Sequence, residues 1–322
     1  MDARKFAYFS IYFGIAVGLA ALLLYLFKTT PLNADQSIAY DIFSSYGSLV
    51  GGVVGPFFAL AGVLLLITSL AESKKAFIKQ QIENRFFQLV EIHRENSNQI
   101  QIKNRSGKKI FITLLRELYE SYRIALSACE THSIESGQAP NIAYLAFFYG
   151  AVGETSKSIL TNRLRNRYSE SFINELFLLY ENRRCDIDIK DFTYEIFDGH
   201  QSRLGHYYRH LFQTVSYIND QPSDTLSYRE KYQYVKTLRA QLSTQEQLLF
   251  FWNSISDIGL AWEKDKSIVL EDRKLITKYN LVKNVPEGYS KYISTRDYYP
   301  IVEYEGLSRK PEGRDALENS YC

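Results

Sequence analysis

An all-α protein with a two-helix transmembrane hairpin and a cytoplasmic helical domain is the fold class that this sequence predicts. Three observations predict it. Two uncharged apolar runs, Phe6–Phe27 and Gly47–Leu70, lie near the N-terminus. At a rise of about 1.5 Å per residue the second makes a helix of roughly 36 Å, enough to cross a bilayer core of about 30 Å. Beyond them the apolar residues recur at helical spacing, and two Ser-x-x-Glu sequences mark helix starts.

The first run follows a short MDARK leader. A cleaved signal peptide has a shorter apolar region and a small-x-small cleavage site; this run instead ends in Leu-Tyr-Leu-Phe-Lys, which favours an uncleaved anchor. Gly14 and Gly18 are four apart, and so are Gly47, Gly51 and Gly55 in the second run. Residues four apart share a helix face, and small residues on that face let another backbone approach closely. Pro56 interrupts the second run, so a kink is expected there. The linker between the runs holds one lysine, whereas Arg4 and Lys5 precede the first run and Lys74, Lys75 and Lys79 follow the second. Positive residues stay inside, so both termini are expected in the cytoplasm.

Composition bounds the rest. A formal net charge of +2 over 322 residues does not argue for a nucleic-acid binder. The three cysteines, Cys129, Cys185 and Cys322, have neither metal nor redox spacing and read as reduced thiols. The 25 tyrosines run through the polar part of the chain, where an aromatic core is expected.

The chain divides into a hairpin (1–70, helices about 6–27 and 47–70), a helical domain (71–280) and an irregular tail (281–322). Ala71–Asn96 keeps a helical stripe of Ile78, Ile82, Phe86, Leu89 and His93, and no Gly or Pro separates it from the second run, so the second membrane helix is expected to run on into the domain. Lys103–Lys109 is a polar turn. Helices are expected over Ile110–Thr131, Ile142–Leu160, Ser169–Tyr180, around His206–Tyr217, Ser227–Ala240 and Ser243–Gly259. Arg183–Lys190 breaks the pattern and reads as a short extended piece. Ser227/Glu230 and Ser243/Glu246 have the capping-box spacing. The tail carries Pro286, Gly288, Pro300, Gly306, Pro311 and Gly313 and is expected to pack in part and fray at its end.

Three segments, FFQLVEIHRENSNQI just after the second apolar run, RLGHYYRHLFQTVSYI at Arg203–Ile218 and LRAQLSTQEQLLFFWNSISDIG at Leu238–Gly259, resemble one family in their order behind two membrane helices. The chain resembles the phage abortive infection proteins of the AbiC type over roughly residues 1–285. The resemblance implies bacterial anti-phage defence, in which an infected cell shuts down before the phage matures. It brings no catalytic residues with it.

Chemistry therefore has to be sought in the residues. His206 and His210 are four apart, the spacing of paired zinc ligands, but no Glu follows His206 and no third ligand is evident; no metal and no cofactor is expected. Arg203 and His210 also resemble the Arg-x(4–6)-His motif of HEPN-type ribonucleases. There the His acts on a ribose 2′-OH while the Arg stabilises phosphate charge. That resemblance implies RNA as partner and a dimer. In the alternative, Arg203 and Arg209 pair with acidic side chains, and His206 and His210 cap or pack. The basic run Asn162–Arg167 reads as a solvated helix end. Lys74, Lys75 and Lys79 would each gain about 1 kcal/mol beside anionic lipid. Phosphate loops of the GxxxxGK[ST] kind and GxSxG elbows are absent.

The expected function is thus an inner-membrane defence protein, sensor or effector, that touches the bilayer, self-associates through its glycine seams and answers a phage-encoded or host protein. A membrane-tethered ribonuclease and a non-enzymatic scaffold are the alternatives. The few polar residues in the apolar runs, Ser10, Ser48, Thr68 and Ser69, favour an anchor over a pore.

Overall fold

The structure is a computed structural model that describes residues 3–28, 40–102, 105–186, 194–264, 273–286 and 288–321. The centre of the expected linker, the end of the Arg183–Lys190 segment and Cys322 lie outside the described residues. The chain forms two units, Met1–Ile82 and Glu83–Cys322, and the all-α class holds in both.

In the first unit α1 spans Ala3–Lys28 and α2 spans Tyr40–Leu49; a π-helical turn, Val50–Val54, leads into α3, Gly55–Gln99. The second apolar run is therefore helical from before its predicted start. The π turn sits where Pro56 demands an adjustment. Proline lacks the N–H that would serve the carbonyl four residues back, here Gly52, and its ring crowds that carbonyl. Widening the preceding turn is one way a helix absorbs this.

The seam of this unit has a 3–4 spacing. Ala7, Ser10, Gly14 and Ala21 are buried on α1, as are Val54 and Ala61 on the returning segment. A Cβ placed on Gly14 would lie 3.4–3.7 Å from Phe57 and Phe58, and one on Gly18 would lie 3.9 Å from Val54. Phe13 meets Phe57 with ring centroids 4.8 Å apart. The ladder of Gly47, Gly51 and Gly55 is not this seam: a Cβ on any of them would meet nothing within 4 Å. The turn at Val50–Val54 resets the helix phase, so Val54 and Phe57 take the inward positions. Arg4 pairs with Glu72, closing the end where α1 begins. Ser10 and Thr68 donate to backbone carbonyls of Phe6 and Leu64.

The second unit takes up α3 from Glu83. A two-residue antiparallel ladder, β1 (Gln101–Ile102) with β2 (Arg105–Ser106), leads to α4 (Ile110–Thr131). Then come α5 (Ala139–Tyr149), α6 (Glu154–Leu164), α7 (Glu170–Asp186), α8 (Gln201–Asn219), α9 (Tyr228–Arg239), α10 (Thr244–Ile255), α11 (Leu275–Tyr279), α12 (Thr295–Tyr298) and α13 (Arg314–Ser320). Helix α4 is central and packs on α5, α7 and α10. Its inner face carries Phe111, Leu114, Leu118, Ala125 and Ala128, all fully buried. The expected aromatic core is real: Tyr144, Phe147, Phe172, Tyr180, Tyr207, Phe250 and Trp252 are all buried.

The helix expected over Ile142–Leu160 is instead two, α5 and α6. Gly150 ends α5 at φ 93° and ψ 147°, a region essentially restricted to glycine. The segment before α8 crosses there. Ala151 N–H donates to the Phe197 carbonyl at 2.8 Å and His200 N–H to the Phe148 carbonyl at 2.9 Å. The tail packs through its interior: Tyr299, Val302 and Tyr304 are buried, and Arg314, fully buried, donates to the carbonyls of Thr277 and Lys278.

Both capping boxes form, with Ser227 and Ser243 each accepting from the backbone N–H three residues on. Losing such a cap costs about 1 kcal/mol, or about 2–4 °C in a domain of this size. We expect Ser243→Ala to lower the Tm of the full chain more than Ser227→Ala. Glu246 of the second box is 1% exposed and would lose the Ser243 hydroxyl as a donor in the core, whereas Glu230 of the first is only half-buried and water replaces its lost donor. Equal Tm shifts would contradict this ranking.

Candidate functional site on helix α8

Helix α8 carries every candidate catalytic residue and presents two opposite faces. At about 100° per residue, Arg203, Tyr207, His210 and Thr214 fall on one face and Gln201, Gly205, Tyr208 and Phe212 on the other. His206 is exposed beside the first.

Arg203 is held at the start of the helix. Its guanidinium donates to the Gly199 carbonyl at 3.1 Å and to His200 Nδ1 at 3.3 Å. His200 Nδ1 is thus an acceptor, so its Nε2 carries the proton, which it donates to Glu117 Oε2 at 2.9 Å. The same carboxylate accepts from Phe197 N–H at 2.8 Å and from the Tyr194 hydroxyl. Glu117 is fully buried on α4 and His200 is 1% exposed. Phe197 adopts φ 63°, strained for an aromatic residue, and its N–H bond to Glu117 helps hold it there.

His210 sits two turns further on, about 10 Å along the axis, in a different environment. Its ring stacks on that of His93, with centroids 6.3 Å apart and planes 16° from parallel, and its Nδ1 is buried without a hydrogen-bond partner. His93 also touches Tyr207, at 4.8 Å. One chain therefore does not bring Arg203 and His210 together. Among the described residues no cluster of three His, Cys, Asp or Glu suits a metal ion.

A second buried carboxylate, Glu246 on α10, lies under this face. Ser97 Oγ donates to it at 2.7 Å and Tyr207 Oη at 3.3 Å, while Ser243 N–H and Oγ donate to its other oxygen at 2.7 Å each. Lys108 stands 3.8 Å away. The three sequence segments that carry the family resemblance thus converge: His93 and Ser97 come from the first, Tyr207 from the second and Glu246 from the third.

His93 is 2% exposed and both ring nitrogens lack a partner. Burial, with His210 and Lys108 adding like charge, pushes its pKa down to about 3. It lies 23 residues beyond the apolar run, outside any membrane-spanning segment. A group with a depressed cationic pKa binds its proton more readily when unfolded, so stability falls as pH drops. The window opens near the unfolded value of about 6.5 and closes near pH 3. We expect the full chain to lose Tm between pH 6.5 and 5, above the carboxylate range, and His93→Phe to flatten that slope. An unchanged slope in the variant would contradict the assignment.

The opposite face of α8 lines a cleft of about 320 Å³ with Phe148 of α5 and Trp262. Asn162, Arg163 and Arg167 of the basic run line a separate polar cleft. There Arg167 pairs with Asp257 at 2.7 Å and Arg163 lies over the Tyr149 ring at 5.2 Å.

Taken together, the chain is of the class of all-α proteins with two helices long and apolar enough to cross a membrane. Residues 199–289, from the crossing before α8 to the start of the tail, match the family described as "Putative phage abortive infection protein". Two of the three segments that carry the resemblance lie inside that match and the first lies before it. No curated protein and no solved structure gives a match.

Neither Glu117 nor the cleft is evident from motif spacing. The one signal for Glu117 is its place, three residues after Leu114 and one before Leu118, on the apolar stripe of α4.

Proposed function

We propose that this protein is a membrane-anchored abortive infection protein of the bacterial inner membrane, both termini cytoplasmic, acting there as sensor or effector. The observation that carries this reading is the state of the two apolar helices. Only 17% and 11% of their most apolar windows is buried by the protein. Leu19, Leu23, Leu24, Val63, Leu66 and Ile67 are all more than half exposed. A core helix of a soluble domain would be covered; side chains left bare along two adjacent helices suit lipid.

The Arg4–Glu72 pair closes the hairpin at the end that carries Lys74 and Lys75, so the basic residues gather on one side, in keeping with the positive-inside rule. A Cβ on Gly47, Gly51 or Gly55 would meet nothing within 4 Å, so the backbone at these small residues is open to close approach by a second copy, which supports a homo-oligomer. Ser10 and Thr68 bond their own helices, which supports an anchor over a water-lined pore. The separate engagement of Arg203 and His210 favours this reading over a ribonuclease, and RNA is not needed as a partner. The trigger on this account is a phage-encoded or host protein.

The test places charge on the lipid face, as Leu23→Arg with Leu66→Arg, in cells challenged with phage. Wild-type protein should pellet with membranes and reduce phage yield, and the variant should lose both. Protection by a variant found wholly in the soluble fraction would overturn the anchor. RNA cleavage at intact membrane potential, abolished by His210→Ala, would overturn the preference for a non-enzymatic role.

A further inference from the structure

We infer that the cleft beside α8 is a binding site for a nucleotide-class ligand, a planar heteroaromatic ring that carries an anionic group. The walls supply the first half of this specificity. Phe148, Tyr208, Phe212 and Trp262 all line the cleft, and the Phe212 and Trp262 rings are locked edge to face, 5.1 Å apart at 85°. Trp262 is further pinned by Phe250, at 4.6 Å. Rigid rings whose places are set by other rings are the platforms on which bases stack. The volume, about 320 Å³, falls at the small end of the range for ligand clefts.

The second half comes from the polar residues. Arg209 lines the cleft and is exposed; among the described residues it meets no carboxylate. Among the described residues no Asp or Glu lines the cleft, and Arg209 is the one charged side chain that does, although the chain as a whole is nearly neutral. A guanidinium offers a planar fork of donors that suits phosphate. Gln201, exposed, also lines the wall, and an amide recognises the donor and acceptor edges of bases. An apolar ligand or a neutral sugar would give Arg209 no anionic partner, and an inorganic anion would leave the aromatic walls unused. A ring with an anionic arm uses both.

Gly205 provides the means to test this. A Cβ built there would lie 3.7 Å from Arg209 Nη2 and 3.8 Å from Phe148 Cζ, both cleft residues. A longer side chain at this position grows into the cleft. It also replaces glycine inside a helix with a better helix former, so folding is not the casualty.

The experiment titrates the purified full chain in detergent with AMP, GMP, CMP, UMP and their 5′-triphosphates, read by calorimetry and by the combined fluorescence of Trp252 and Trp262. Adenosine and ribose 5-phosphate serve as half-ligands. We expect at least one nucleotide to bind saturably with a Kd below about 1 mM, and each half-ligand to bind at least tenfold more weakly. Arg209→Ala should weaken binding at least tenfold. Gly205→Leu should abolish it with an unchanged or raised Tm. Failure of every nucleotide to bind the wild type would overturn the inference, as would binding that survives Gly205→Leu or that ignores Arg209→Ala. Because binding is read on the isolated protein, the outcome is independent of whether the chain is anchored in a membrane.

Discussion

Glu117→Ala is expected to destabilise the second unit by about 3–5 kcal/mol, the cost of leaving several buried donors without their shared acceptor. The carboxylate accepts from Phe197 N–H, His200 Nε2 and the Tyr194 hydroxyl. Its removal strands a backbone donor and an imidazole N–H in the core, each costing about 1–3 kcal/mol. It also frees Phe197 from one of the bonds that hold it at φ 63°. Glu117→Gln should cost less yet still cost. Arg203 occupies His200 Nδ1, so His200 cannot switch tautomer to accept from the new amide. One oxygen can then serve Phe197 or the His200–Tyr194 pair, but not both. Denaturant unfolding of the full chain in detergent checks the order, wild type above Gln above Ala. An alanine variant within about 1 kcal/mol of wild type would mean that the segment before α8 is held by something else.

The second large effect is expected at Gly150→Ala. Two penalties act together. The conformation, φ 93° and ψ 147°, is essentially closed to residues with a Cβ. An ideal Cβ would also lie 2.5 Å from the Asp198 carbonyl oxygen and 2.7 Å from its carbon. Those are backbone atoms, and the Phe197–His200 segment around them is tied to α4 and α5 by hydrogen bonds, so they cannot yield cheaply. About 1–3 kcal/mol for the dihedral strain and a similar amount for overpacking give a loss of about 3–5 kcal/mol. Gly153, also at positive φ, has nothing within 4 Å of its ideal Cβ. Gly153→Ala therefore pays the dihedral penalty alone and should cost clearly less. Thermal unfolding of the two variants side by side checks this, and equal losses would remove the crowding term.

Much of the fold was legible because its signals are local. An uncharged run of bilayer length, a Ser with a Glu three residues on, and a stripe every three or four positions each declare themselves within a few turns of chain. The features that escaped depend on partners far away. The break of Ile142–Leu160 into α5 and α6 is made by a crossing segment almost fifty residues downstream, and Gly150 alone does not announce it. Glu117 reads as one more acid on a mixed helix until His200 is seen beside it. The glycine ladder illustrates a different limit. Spacing puts Gly47, Gly51 and Gly55 on one face only if the helix keeps its pitch, and the π turn forced by Pro56 changes it. Arg203 and His210 were legible as a spaced pair, but their chemistry depends on what each faces. One faces His200 and the other His93, and no count along the chain predicts that.

The central claim is that two bare apolar helices anchor the chain in a bilayer with the helical body on the cytoplasmic side. Protease digestion of spheroplasts that express the chain with a C-terminal epitope tests it most directly. The account predicts that tag and body survive in intact spheroplasts, disappear once the membrane is opened, and stay in the pellet after alkaline extraction of untreated membranes. Digestion of the body from outside intact spheroplasts, or its release into the alkaline supernatant, would contradict it.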